Sequence, residues 1–123
     1  MKVRTLFHTA SSYLRYNVFM RFSKIYKVKE GKLDKLKYWF NVLSSDRREE
    51  AIATFDYENI SREVFALFKG KDGLDYVIGL NEVIGEHKKG DPQVKINQEH
   101  SKILDECLEP ISEAGEVLLV LNI

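Results

Sequence analysis

The sequence predicts a single α+β domain built around a four-stranded antiparallel sheet. Three observations lead to this prediction: a strand-type alternation near the N-terminus, two amphipathic helical patterns, and a short glycine-containing link between two apolar runs. The chain has 123 residues, of which 44% are hydrophobic and 31% are charged, and this composition is typical of a globular domain. A domain of this length buries enough surface to fold without disulfides or metal ions.

The first strand is predicted from Leu14 to Val28. Even-numbered residues in this range are mostly apolar and odd-numbered ones are more often polar, which predicts one buried side and one solvent-facing side. Residues 1–29 carry seven basic side chains and no acidic one. We therefore expect residues 1–19 to form a basic arm or strand extension, and residues 20–123 to form the compact domain.

A first helical region is predicted from about residue 33 to residue 59. Apolar residues recur there at helical spacing, with polar residues between them. Ser44 and Ser45 interrupt the pattern, and Asp46 followed by Glu49 resembles a capping box that restarts a helix. One kinked helix and two short helices are equally compatible with this pattern.

The second half of the chain predicts a hairpin, a helix and a last strand. Residues 61–69 and 74–83 are two apolar runs, and the Gly-bearing link between them predicts an antiparallel pair. Apolar residues recur at helical spacing in residues 97–111, and the apolar run 117–123 predicts the final strand. The resulting order, βαββαβ, is the split βαβ arrangement of ferredoxin-like folds, with both helices on one face of the sheet.

The other face of this sheet is expected to remain uncovered within one copy. The later strands carry apolar residues at both parities, so this second face exposes more apolar surface than a soluble monomer usually shows. Pairing of two copies through the sheet face covers this surface, and we therefore expect a homodimer. A small-molecule cavity is expected between sheet and helices or between the two sheets.

Candidate site residues come from their positions, because the sequence contains no recognised catalytic motif. His100 lies on the buried side of the second predicted helix, where it either bonds a backbone carbonyl or points into a cavity. Seven Phe and six Tyr residues serve the core and an interface, or they line an apolar pocket. The candidate ligand-binding residues are Tyr26, Trp39, Phe65, Tyr76 and His100, and His100 is the candidate catalytic residue.

Several other functions are disfavoured by the sequence. No His, Cys or carboxylate pair has the spacing of a metal site, so no metal or cofactor is predicted. The lone Cys107 is expected to pack as a small core residue, and a single thiol favours a reducing compartment such as the cytoplasm. No segment approaches the roughly 20 apolar residues of a membrane span. Nucleic-acid binding by the sheet is disfavoured because the aromatic motif of RNA-binding sheets is missing.

A set of short motifs extends over about residues 22–109. The motifs are Glu30-Gly31-Lys32, Trp39, Arg48-Glu49-Glu50-Ala51, Glu58-Asn59, Glu63-Val64-Phe65, Glu99-His100 and Glu106-Cys107-Leu108. Together they resemble an uncharacterised family of small bacterial proteins that is catalogued only as a domain of unknown function. The resemblance implies a ferredoxin-like dimeric α/β barrel, a superfamily that includes cofactor-independent monooxygenases, muconolactone-type isomerases and haem-degrading enzymes. It transfers no catalytic residue, but His100 matches the histidine on that family's last helix.

Three functional hypotheses follow, and whether the protein is an enzyme stays open. The first is a homodimer that binds a small apolar or aromatic ligand or acts as an interaction module. The second is a monooxygenase- or isomerase-type enzyme, in which His100 acts as base or ligand orienter and Tyr26 or Tyr76 donates a hydrogen bond. The third assigns the basic arm a contact with nucleic acid or an anionic membrane surface.

Overall fold

A computed structural model describes residues 18–123 and shows an α+β fold. The strands are β1 (Val18–Val28), β2 (Ile60–Lys69), β3 (Asp75–Ile84) and β4 (Leu108–Pro110). The helices are α1 (Leu33–Ser44), α2 (Arg48–Ile52), α3 (Phe55–Glu58) and α4 (Lys95–Cys107). The four strands form one antiparallel sheet in the order β2-β3-β1-β4. The predicted class and the four-stranded antiparallel sheet are confirmed.

The predicted basic arm, residues 1–19, lies outside the described residues except for its last two positions. These two, Val18 and Phe19, belong to β1. The contacts with nucleic acid or membrane that we expect of the arm therefore stay predictions.

The helices cover one face of the sheet. Directly opposite residues of paired strands point to the same face, so the pairs Tyr26↔Val77 and Phe65↔Gly79 place these residues on one side. The buried core lies on this side, which we call the covered face. The core cluster consists of Val28, Leu36, Val77, Cys107 and Leu108.

The opposite face of the sheet carries mainly apolar side chains, none of the helices within residues 18–123 lies on it, and we call it the open face. The strand register assigns to it the ten apolar or aromatic residues Met20, Phe22, Ile25, Val64, Ala66, Phe68, Tyr76, Ile78, Leu80 and Ile84, together with the charged residues Lys27, Arg62 and Glu82. Phe68 is 52% exposed and Ile84 is 46% exposed, whereas Val83, the covered-face neighbour of Ile84, is fully buried.

A β-bulge in β1 corrects the predicted alternation of this strand. The register shifts between Phe22 and Ile25, so one extra residue of β1 is inserted at this point. Phe22 pairs with Leu80 on the open face, whereas Tyr26 pairs with Val77 on the covered face. Even-numbered residues therefore change sides at the bulge, and the prediction of one continuous buried side was wrong.

The last strand also differs from the prediction, which placed it at residues 117–123. Helix α4 ends at Cys107, and Leu108 turns to an extended conformation and pairs with Val28. Leu108 is 4% exposed and fills the core beside Val28, so the position next to β1 is taken by Leu108–Pro110. Pro110 fits this edge strand because it has no N–H to donate.

Residues 33–59 fold as the three helices α1, α2 and α3, and not as the one kinked helix or the two short helices predicted for this region. The N-cap of α2 is Arg47, and no side chain caps this end, so the capping box predicted from Asp46 and Glu49 does not form. The Arg47 side chain instead bonds to Glu50 and Glu99. Helix α3 is followed by its C-cap residue Asn59, whose backbone is left-handed (φ 61°), and β2 begins at the next residue.

Candidate functional site

A cleft of about 1240 Å³ opens between the helices and β2. Pockets for drug-sized ligands usually have roughly 300–1,000 Å³, so this cleft has room for a small molecule. Its lining combines apolar residues such as Phe40, Phe65 and Leu104 with polar ones, including His100 and Glu63. A second cavity of about 710 Å³ near the β2–β3 hairpin is lined by charges of both signs and contains no histidine.

His100 is a partly buried polar group that lines this cleft. The Trp39 indole Nε1–H donates a hydrogen bond to His100 Nδ1 over 2.9 Å. An indole nitrogen is only a donor, so Nδ1 is the acceptor and the proton of the neutral ring is on Nε2. Burial lowers the pKa of His100 to about 4, which keeps the ring neutral near pH 7. His100 thus offers the cleft one N–H donor.

Arg47 holds the elements around His100 together. Its guanidinium makes paired hydrogen bonds of 2.8–2.9 Å to both Glu50 and Glu99, which links the start of α2 to α4. The same guanidinium lies 5.7 Å from the centre of the Trp39 ring, within cation–π range. Because Glu99 precedes His100 in α4, this network fixes the imidazole from two sides. The hydrogen bonds from Arg47 also lower the pKa values of the Glu99 and Glu50 carboxyls.

Strand β2 supplies the floor of the cleft. Alternate residues of a strand share a face, so Glu63 and Phe65 both point toward the helices. The Phe65 ring stacks on Phe40 with 4.7 Å between centroids, and its edge faces His100 at 6.3 Å. Gly79 lies opposite Phe65, and a Cβ there would lie 3.0 Å from the Phe65 ring. The glycine therefore leaves room for the ring to lie flat on the sheet.

Two carboxyl groups in the cleft have raised pKa values. Desolvation by the surrounding protein raises the pKa of Glu63 to about 7, and the nearby Glu58 charge makes a smaller contribution. Burial also raises the pKa of Glu58, against a hydrogen bond from Thr54. The Glu63 side chain is nevertheless exposed where the cleft opens to solvent, so water reaches it. A carboxyl of this kind exchanges protons near neutral pH.

The rim of the cleft is basic. Arg48 and Lys89 line it, together with His87 from the loop after β3. His87 Nδ1 contacts the Arg21 guanidinium, and burial together with this charge lowers the pKa of His87. Its neutral ring therefore adds a polar group without adding charge.

The structure brings together most of the predicted ligand-binding residues. Tyr26, Phe65 and His100 line the cleft, and Trp39 supports His100 from behind. Tyr76 is not brought to the cleft, because it lies on the open face with its hydroxyl bonded to Asp72.

Sequence reasoning missed Arg47, Glu63 and His87 as parts of the site. The available signal was a single acidic residue, Glu63, two positions before Phe65 in an apolar strand. Arg47 and Glu99 are 52 positions apart, so no local pattern indicates their contact.

Two further findings concern metals and membranes. Within residues 18–123, no group of three His, Cys, Asp or Glu side chains is placed to hold a metal ion. No helix in this part of the chain has the length and apolar character needed to cross a membrane.

The fold and the cleft define a small α+β domain with a partly buried imidazole between its helices and its sheet. A family model described as a family of unknown function, DUF6176, matches residues 21–123, and the chain belongs to this family. The predicted relation to a domain of unknown function is thus confirmed. Searches of curated proteins and of solved structures gave no match.

Proposed function

We propose that the protein is a homodimeric domain that binds a small, largely apolar or aromatic molecule in the cleft beside His100. The observation that carries this proposal is the neutral imidazole in an apolar cleft, with Nδ1 occupied by Trp39 and the Nε2 proton left for a ligand. Nε2 has no hydrogen-bond partner among residues 18–123, and a partly buried donor of this kind gains from an acceptor on a ligand.

The lining indicates the ligand's chemistry. Phe40 and Phe65 form a stacked aromatic wall that suits a flat apolar group. His100 offers a hydrogen bond to an acceptor, and the Arg48 and Lys89 side chains at the rim suit an anionic group. An aromatic carboxylate combines these features, so we expect it to bind better than the corresponding alcohol.

The single tryptophan of the chain makes a direct test possible. The Trp39 indole N–H gives one NMR signal, and it reports on His100 through their hydrogen bond. Titration with 1-naphthoate is expected to shift this signal, and 1-naphthalenemethanol is expected to bind more weakly. Phe65→Ala removes the aromatic wall and is expected to weaken binding at least tenfold, whereas Phe68→Ala, on the open face, leaves it unchanged. Equal effects of the two substitutions, or no shift at all, would contradict the cleft as the binding site.

The homodimer is proposed to form through the open face of the sheet. That face carries ten apolar or aromatic side chains and three charged ones, and no helix of the described part of the chain covers them. A second copy related by a two-fold axis presents an identical apolar surface and covers them. Cys107 is unpaired and buried, and burial raises the pKa of its thiol, so the proposed location of this dimer is the reducing cytoplasm.

A second candidate function is an isomerase-type enzyme, and the position of Glu63 favours it. Because the proton of His100 is on Nε2, His100 acts as donor to a carbonyl oxygen, and Glu63 is the better base for an adjacent C–H group. The test is deuterium exchange of the α-protons of 2-tetralone in D₂O, followed by NMR. Glu63→Gln is expected to abolish the exchange. Glu82→Gln, which changes a carboxyl on the open face, is expected to retain it. An exchange rate equal to that in buffer alone would overturn this candidate.

A further inference from the structure

The segment of residues 117–121 is the most exposed apolar part of the described chain. Its sequence is Val-Leu-Leu-Val-Leu, and it adopts no regular secondary structure. Leu118 is 87% exposed, Leu119 is 72% exposed and Leu121 is 83% exposed. Apolar side chains at both parities are typical of a strand that is covered on both faces.

The path of the preceding residues brings this segment to the rim of the open face. After β4 the chain follows the outer edge of β1, where Ile111 N–H donates to Ile25 O over 2.9 Å and Gly115 N–H donates to Ser23 O over 3.3 Å. A Cβ on Gly115 would lie 2.9 Å from Phe22 Cβ, so the chain crosses directly beside an open-face side chain. The leucines that follow are therefore continuous with the open face.

The areas show what this segment adds to the open face. The three long strands cover about 14 Å by about 33 Å, which gives the open face a flat footprint of roughly 450 Å² per copy. A standard interface buries about 800 Å² of accessible surface per partner. Three exposed leucines add about 100 Å² each. The open face and the segment together reach the size of a standard interface.

We infer that two copies of the chain exchange their 117–121 segments, so that the segment of each copy packs against the open face of the other. This inference rests on the homodimer proposed above and names the part of the chain that completes it. The leucines of the segment do not pack on their own sheet in this structure, so the open face of a second copy is the surface that we expect to cover them.

The first experiment measures dimer dissociation by analytical ultracentrifugation of the full chain and of two variants. Leu118→Ser combined with Leu121→Ser, and separately a chain that ends after Glu116, are expected to weaken the dimer at least a hundredfold. Tyr38→Ser, which removes a 71% exposed aromatic residue on α1, is the matched control and should leave the dimer unchanged.

The outcomes separate the inference from the proposed homodimer. A full chain that is monomeric at high micromolar concentration overturns both. A dimer that survives removal of residues 117–123 with unchanged affinity overturns the exchange alone and leaves the homodimer standing.

The second experiment tests exchange between copies directly. Copies carrying Leu119→Cys are mixed with differently tagged copies carrying Ile78→Cys, whose side chain lies on the open face. Oxidation is expected to give a disulfide between the two tags, and Ser101→Cys in place of Ile78→Cys should give none. Cys107 is buried and stays in place. If a chain carrying both substitutions forms its disulfide internally and mixed copies form none, the segment covers its own sheet and the inference is wrong.

Discussion

The two faces of the sheet differ in how far their apolar side chains are buried. The covered face packs against α1 and α4, and where this packing opens it leaves a cleft containing His100 and Glu63. The open face carries mainly apolar side chains, and Phe68 among them is 52% exposed. The cleft groups with strongly shifted pKa values, His100 and Glu63, thus lie on the covered side of the sheet. The comparison is the basis for proposing ligand binding on the covered face and association of two copies through the open face.

The largest difference between the faces is expected from truncation of one side chain on each. Leu36 on α1 is 2% exposed and belongs to the core cluster, so Leu36→Ala is expected to lower the free energy of unfolding by about 3 kcal/mol. Phe68→Ala on the open face is expected to cost at most about 1 kcal/mol in dilute protein, because its ring is half exposed there. Urea denaturation at low protein concentration measures both values.

Raising the protein concentration sharpens this comparison. The cost of Phe68→Ala should grow with concentration if the open face is an interface, while the cost of Leu36→Ala stays constant. Equal costs for the two substitutions in dilute protein would show that the open face is buried within one copy.

The next effect concerns pH and the covered face alone. The folded pKa of His100 is about 4 and its ordinary value is 6.5, so the unfolded chain binds more protons between these values. Stability due to a neutral His100 is therefore present above pH 6.5 and is lost as the pH falls toward 4. We expect a loss of about 2 kcal/mol between pH 7 and about pH 4.5, measured by urea denaturation of the native chain relative to His100→Gln.

Comparison with His100→Gln is needed because other groups titrate in the same range. The raised pKa of Glu63, about 7, acts in the opposite direction, since the folded carboxyl gains its proton first as the pH falls. This contribution is present in both proteins and cancels in the difference. A native chain and a His100→Gln variant with parallel pH profiles would mean that His100 is solvated and not part of a dry cleft.

Much of the covered face could be predicted from the sequence, because its signals are local. The apolar stripe of α1, the Gly70–Gly73 turn and the inward position of His100 each depend on residues within one element. The Arg47–Glu99 bridge could not be predicted, because it joins positions 52 residues apart. The change of parity in β1 was hidden for another reason: its odd-numbered apolar residues, Phe19 and Ile25, looked like exceptions to an alternation that in fact reverses.

The bulge that causes this reversal provides the smallest expected effect. Ser23 stands at the bulge, and its hydroxyl accepts a hydrogen bond from Gly79 N–H over 3.1 Å, in place of a regular backbone pair. Ser23→Ala leaves this buried N–H without its partner and is expected to cost about 1 kcal/mol of unfolding free energy. Ser61→Ala, which removes an exposed hydroxyl bonded to Glu82, is the control and should change stability by less than about 0.5 kcal/mol. If thermal unfolding shows equal costs, Ser23 does not hold the bulge, and another interaction must keep Phe22 and Tyr26 on opposite faces.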